Sequence, residues 1–247
     1  MGIDGFSAWL ETPQGRYVQA WEQKKLDVML ADIFGFNAVQ IGFPHLDYLR
    51  ANRMPFHIRC CDREGVSVKS DTHHLPFATN SLDLVLLPHV LEFDENPHQI
   101  LREVERVLVP EGSVVVAGFN PFSLWGLRRM FAGRNGPPPW QGRYLSVPRL
   151  RDWFALLGFE THGGAFGCYA PPVREEQWLQ RWDFMEPAGD RWWPIAGSVY
   201  VLQAIKRQQG MRLVTPKWKD RMARAKALAL MPQKPVTQKH ENCADGQ

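Results

Sequence analysis

Cysteine is scarce in this chain: four in 247 residues, Cys60, Cys61, Cys168 and Cys243. The adjacent pair has no metal-ligand spacing, and four scattered thiols make no disulfide framework, which excludes a small stapled secreted domain. Buried thiols in a reducing compartment are expected, and the expected location is cytoplasmic. Long apolar runs are missing as well. No stretch approaches the ~18 residues that a membrane-crossing helix needs. The opening residues, MGIDGFSAWLE, lack a basic segment followed by an apolar core, so no signal peptide is expected. Position 6 is Phe rather than Ser or Thr, which removes the myristoylation pattern. A dominant charge is absent too: Lys and Arg number 29 against 26 Asp and Glu, a net +3, so the chain as a whole is no polyanion binder. Tryptophan (10) and proline (19) are plentiful, and together they suggest large loops anchored by aromatic rings. The length suits one domain with embellishments.

Periodicity supplies the elements. Residues 15–36 carry Tyr17, Trp21, Met29, Leu30, Ile33 and Phe34 mostly on one face, predicting a helix stopped at Gly35. A short strand at 38–42 follows, then a short helix over 45–52, closed before Pro55. Further strands are expected at 56–61 and 66–69. Residues 81–87 (SLDLVLL) form a continuous apolar run, as in a parallel strand covered on both faces. Asn96-Pro97 opens a helix whose Ile100, Leu101, Val104, Val107 and Leu108 form one stripe. A turn at 110–112 then leads into a buried strand at 113–118. Strand, helix, strand in this order implies a right-handed parallel crossover. Helices at 122–131 and 147–157, strands near 159–161 and 199–205, and a Trp-bearing helical insert at 174–185 complete the pattern.

The expected fold class is α/β, a seven-stranded, mostly parallel, doubly wound sheet. Three parts are expected: a helical segment at 1–36, the α/β domain at 37–206 with a Trp-rich insertion around 133–195, and a basic, flexible tail at 207–247. From Lys206 onward basic residues meet only Asp220, Glu241 and Asp245. Such a tail either contacts nucleic acid or an anionic surface by charge, or is simply solvated; Trp218 is the one aromatic among its charges.

Ligands of open parallel sheets bind beyond the carboxyl ends of the strands, so the candidate residues are those that end strands. Residues 70–77 (SDTHHLPF), 80–92 (NSLDLVLLPHVLE) and 101–112 (LREVERVLVPEG) resemble the middle of a class I S-adenosylmethionine (SAM)-dependent methyltransferase of the type 11 group. Residues 118–129 (GFNPFSLWGLRR) are similar, more narrowly, to the YafS-like bacterial members. The resemblance implies SAM as cofactor and methyl transfer as activity. It places Asp71 on the adenine amino group, with Thr72 offering a backbone N–H, and Gln40, Gly42, Phe43 and Pro88 around the cofactor.

Asp62 stands 20 residues after Gly42, the spacing of an acid that reaches a ribose hydroxyl. A solvated turn aspartate paired with Arg63 is the other reading. In the resembled family an acid precedes the glycine loop and binds the methionine ammonium. Here Gln40 takes that place, Gly42 is the first glycine, and Pro44 and Leu46 replace the next two. The loop is altered: Gln offers a carbonyl oxygen without charge, and Pro44 removes an N–H. His89, after the fourth strand, is either the base for an acceptor that loses a proton or a cap on the strand end. His73-His74 lacks metal-ligand spacing, and no metal is expected. Trp140, Trp153, Trp178, Trp182, Trp192 and Trp193 either cover an apolar small-molecule acceptor or pack the insert onto the sheet. A non-catalytic descendant of the fold, binding a partner or nucleic acid, is the alternative that Gln40 and Pro44 motivate.

Overall fold

The computed structural model describes residues 2–61, 67–132, 136–173, 175, 177, 181–182 and 184–208. The elements run α1 (Gly2–Leu10), α2 (Pro13–Ala31), β1 (Asn37–Ile41), β2 (Phe56–Cys61), β3 (Val68–Lys69), β4 (Leu82–Pro88), α3 (Pro97–Val107), β5 (Leu108–Phe119), α4 (Leu124–Ala132), α5 (Val147–Leu156), β6 (Phe159–Gly167), α6 (Met185–Trp192) and β7 (Val199–Lys206). Among the described residues seven strands form one sheet in the order β3-β2-β1-β4-β5-β7-β6. β7 is antiparallel to β5 and β6, and the other pairings are parallel. The expected doubly wound α/β class is what the chain adopts.

Helices cover both faces. On one, α3 lays Ile100, Leu101, Val104 and Val107 against Val85, Leu87, Val114 and Val116, joined by Leu150 and Phe154 of α5. On the other, Leu26 and Leu30 of α2 pack on Leu84, Leu86, Val115 and Val201. Burial on both sides is why β4 reads as apolar from Leu84 to Leu87. α2 begins where the Thr12 hydroxyl accepts from the Gly15 N–H, with Pro13 in the first turn. Its buried stripe, Val18, Glu22, Leu26 and Leu30, recurs every four residues and holds one acid.

Three expectations are corrected. Residues 45–52 form turns instead of a helix, because the carbonyls that would serve it are taken by a side chain described below. β5 starts at Leu108, with Glu111 in a left-handed conformation (φ 66°) and a register shift against β4 replacing the expected turn. β6 continues to Gly167. Half of the insert expected at 174–185, Trp178 included, lies outside the described residues, as do Asp62 and residues 209–247. Lys206 and Arg207, which open the basic run, are ion-paired with Glu105, Glu111 and Glu160. No helix among the described residues is long and apolar enough to cross a membrane.

Candidate functional site

Strand order reverses between β1 and β4, so the crevice where this architecture binds ligands opens beyond Ile41 and Pro88. The backbone is left-handed on both sides of it: Gly42 (φ 84°) and Phe43 (φ 45°) after β1, and His89 (φ 49°) after β4. Non-glycine residues held there cost of order 1–3 kcal/mol each and collect at functional sites. Gly42 meets a second demand, since a Cβ on it would stand 3.0 Å from Val90 Cγ2.

Gln40 holds the turn. Its Nε2 donates toward the carbonyls of Gly42 (3.3 Å), Phe43 (3.1 Å) and Leu46 (2.8 Å), while its Oε1 accepts from the Tyr48 N–H (3.1 Å). The side chain is fully buried. A helix after β1 would need those carbonyls, so the amide keeps the segment as turns. The amide therefore faces the loop's own backbone.

Over the crevice lies α1. Phe6 is completely buried, with ring centroids 5.3 Å from Phe43, 5.0 Å from His89 and Phe93, and 6.0 Å from Phe119. Trp9 packs on Phe6, Phe119 and Trp125, and Trp125 on Trp140. This aromatic layer closes the carboxyl ends of β1, β4 and β5.

Beneath Phe6 is a buried charged row. His89 Nε2 is 2.5 Å from Glu22 Oε1 and Nδ1 is 2.9 Å from Glu92 Oε2. The Tyr48 hydroxyl donates to Glu22 (2.8 Å), and the Phe119 N–H donates to the other oxygen of Glu92. Burial pulls the imidazole pKa down, but the two carboxylates outweigh it and lift it to about 10. At neutral pH His89 is thus a cation donating from both nitrogens. Close by, the Tyr144 ring stacks on Phe119 (5.0 Å), and its buried hydroxyl has no hydrogen-bond partner among the described residues. Burial pushes that phenol upward, so it stays protonated.

On the β3 side, Asp71 accepts from the His73 N–H (3.0 Å), and this bond with those of His73 and His74 lowers its pKa. The carboxylate is ionised and more than half exposed. His73 bridges Asp71 and Asp94 (3.1 and 2.9 Å); burial opposes its charge, but the two acids prevail and raise its pKa. Thr72 lies half-buried in the same turn.

Against the Gly42–Phe43 turn opens a cleft of about 310 Å³, lined by Leu10, Glu11, Arg16, Gln19, Phe43 and His45 among others. One carboxylate and one guanidinium, both contributed by the α1–α2 region, therefore border the altered loop.

The Escherichia coli (strain K12) protein YafS is 32% identical to this chain over 171 residues, 64% of this chain and 67% of that one. A family profile for a methyltransferase domain, the type 11 group, matches residues 49–116. The chain belongs to the YafS-like, type 11 methyltransferase family. Two solved structures share the fold of this family. A methyltransferase of Haloferax volcanii, determined in complex with the Trm112 methyltransferase activator, has a TM-score of 0.59 at 15% identity, over 85% of this chain and 99% of that one. A SAM-dependent methyltransferase of Thermotoga maritima gives 0.56 at 17% identity, over 74% and 88%.

Of the residues singled out from the sequence, the structure brings Gly42, Phe43, Pro88 and His89 to the carboxyl ends of β1 and β4. Gln40 lies under them, and Asp71 with Thr72 stands apart, beyond β3. The tryptophans divide. Trp140 joins the aromatic layer, Trp153 is buried against His98 (3.8 Å), and Trp192 and Trp193 are exposed. Glu22, Glu92, Tyr144, Phe6 and Trp125 escaped the sequence reading. Glu22 had a signal, an acid at the centre of a four-residue apolar repeat. The others depend on tertiary packing alone.

Proposed function

We propose that this protein transfers a methyl group from SAM to an apolar small-molecule acceptor. The observation that carries the reading is the cleft at the Gly42–Phe43 turn, bordered by Glu11 and Arg16. A zwitterionic amino-acid group needs one anion and one cation, and in this reading Glu11 takes the ammonium and Arg16 the carboxylate. Glu11 thereby stands in for the acid that Gln40 replaces. Elsewhere the reading uses Asp71, an ionised acceptor, for the adenine amino group, with Thr72 supplying a backbone N–H. Asp62 is assigned to the ribose from its spacing alone. Phe43 and Pro88 form the apolar floor.

SAM would supply an activated methyl on its sulfonium, so the chain's own work is alignment and exclusion of water. Phe6, Phe93, Phe119 and Trp125 suit a flat apolar acceptor. The Tyr144 hydroxyl, without a partner among the described residues, offers it one hydrogen bond. His89 holds its proton and anchors Glu22 and Glu92, so it serves as a fixed charge beneath the acceptor. Entry requires α1 to lift, because Phe6 fills the space above His89.

Calorimetric titration with SAM and S-adenosylhomocysteine tests this. Micromolar binding is expected, weakened at least about tenfold by Asp71→Ala and by Arg16→Gln, the loss of one charge-assisted contact. Folded, ligand-free protein that binds neither compound refutes it, leaving the non-catalytic fold that Gln40 and Pro44 favour.

A further inference from the structure

α4 is turned inside out. Trp125 and Gly126 face the protein, with the indole N–H donating to the Ala170 carbonyl (2.9 Å). Leu124, Leu127, Met130 and Phe131 face outward, Met130 at 73% exposure and Phe131 at 81%. A surface helix normally presents polar groups there, and an apolar outer face marks an interaction site. The face continues beyond the helix. Asn120 accepts from the Phe122 N–H and donates to the carbonyls of Ile195 and Gly197, which ties the start of the α4 segment to the short 3-10 turn Pro194–Ala196 that follows α6. Phe122, Trp192, Trp193 and Ile195 on this rim are all mostly exposed.

We propose that this rim docks the protein on an anionic lipid bilayer. Three observations select a bilayer over a second copy or a folded partner. The apolar groups stand as separate prongs on a helix, a loop and a turn, a form suited to a fluid phase. Two of them are adjacent tryptophans, whose amphipathic rings favour the boundary between headgroups and acyl chains. The charge also fits: α4 carries two arginines and no acidic residue. Arg128 and Arg129, on the flanks of α4, are bound to neutral partners, the Pro172 carbonyl with the Trp140 ring and the Gly142 carbonyl with the Tyr144 ring. Their positive charge is available to anionic headgroups within a Debye length. The rim follows Phe119 at the carboxyl end of β5 and precedes Val199 at the start of β7, the end of the sheet where the crevice opens. Docking there turns the crevice toward the lipid phase.

Vesicle flotation of the full chain tests the proposal, with phosphatidylcholine alone or mixed with phosphatidylglycerol. The expected result is binding to the mixed vesicles, at least about tenfold weaker on phosphatidylcholine alone. Leu127→Ser/Met130→Ser/Phe131→Ser should lose about tenfold or more of that binding with an unchanged circular dichroism spectrum, since all three side chains are exposed. Phe34→Ser/Phe36→Ser, which removes comparable exposed apolar surface ahead of β1, at the opposite end of the sheet, should bind as the parent does. The proposal is overturned if the parent ignores the vesicles, or if the triple variant binds equally well, which would assign binding to the basic C-terminal residues. It is equally overturned if the control loses as much, or if the rim substitutions instead dissociate a dimer in ultracentrifugation.

Discussion

Replacing His89 by Leu removes the single cation from a row in which both flanking carboxylates are buried and carry backbone or phenol hydrogen bonds. Leucine is of similar size, so the change is mainly one of charge. Breaking a buried ion pair from one side costs about 3–5 kcal/mol, because the remaining charge loses its partner without regaining water. Here two carboxylates are left facing each other across an apolar side chain, so the upper part of that range is expected. Against a total stability of about 5–15 kcal/mol this is a large fraction. For a chain of this size it corresponds to a fall in Tm of about 6–20 °C.

Acidity supplies the diagnostic. A histidine in the unfolded chain loses its proton near pH 6.5, whereas His89 in the folded protein holds it to about 10. A raised folded pKa stabilises fully below the unfolded value, and that stabilisation is lost as pH rises toward the folded value. The stability gap between parent and His89→Leu should therefore be widest near pH 6.5 and shrink steadily toward pH 10. Urea unfolding followed by circular dichroism at several pH values measures it. A loss under 1 kcal/mol, or a gap constant across that window, would refute the buried imidazolium. His89→Gln, which can still donate to one carboxylate, should fall between the two.

Gln40→Leu should destabilise by about 2–4 kcal/mol, since it strips partners from several buried backbone groups, each costing about 1–3; a loss below 1 in urea melts would mean the turn is held otherwise. Phe6→Ala empties the centre of the aromatic layer and should cost about 3–5 kcal/mol if α1 stays docked. A loss near zero, together with new protease cleavage before Thr12, would show that α1 is readily displaced. Tyr144→Phe removes a hydroxyl that has no partner among the described residues, so stability should hold or rise by up to about 1 kcal/mol. Turnover of any acceptor that uses the hydroxyl should fall about tenfold in the same variant, and unchanged turnover would exclude that contact.

What could be read in advance was whatever repeats along the chain. β4, α3 and the core of β5 announce themselves because each residue's burial follows from its neighbours' spacing, and that continuity gave the sheet its class. The crevice was legible only where it ends strands. Gly42 and His89 could be placed because a strand's exit locates them, but the partners of His89 could not, since Glu22 lies 67 residues away on a helix. Gln40 shows the limit most clearly. Family resemblance puts position 40 where an acid would meet the ligand, so an amide reads there as a weakened contact; the structure turns Gln40 inward, where its donors tie the loop. An acid there would accept but not donate, and could not hold those carbonyls. Gln40 and the loop thus belong together: the turn that starts at Gly42 and Phe43 keeps its shape because the amide at position 40 faces the loop's own backbone. In the proposed reading, the negative charge that the ammonium of SAM requires therefore comes from outside β1, from Glu11 in the lining of the adjoining cleft.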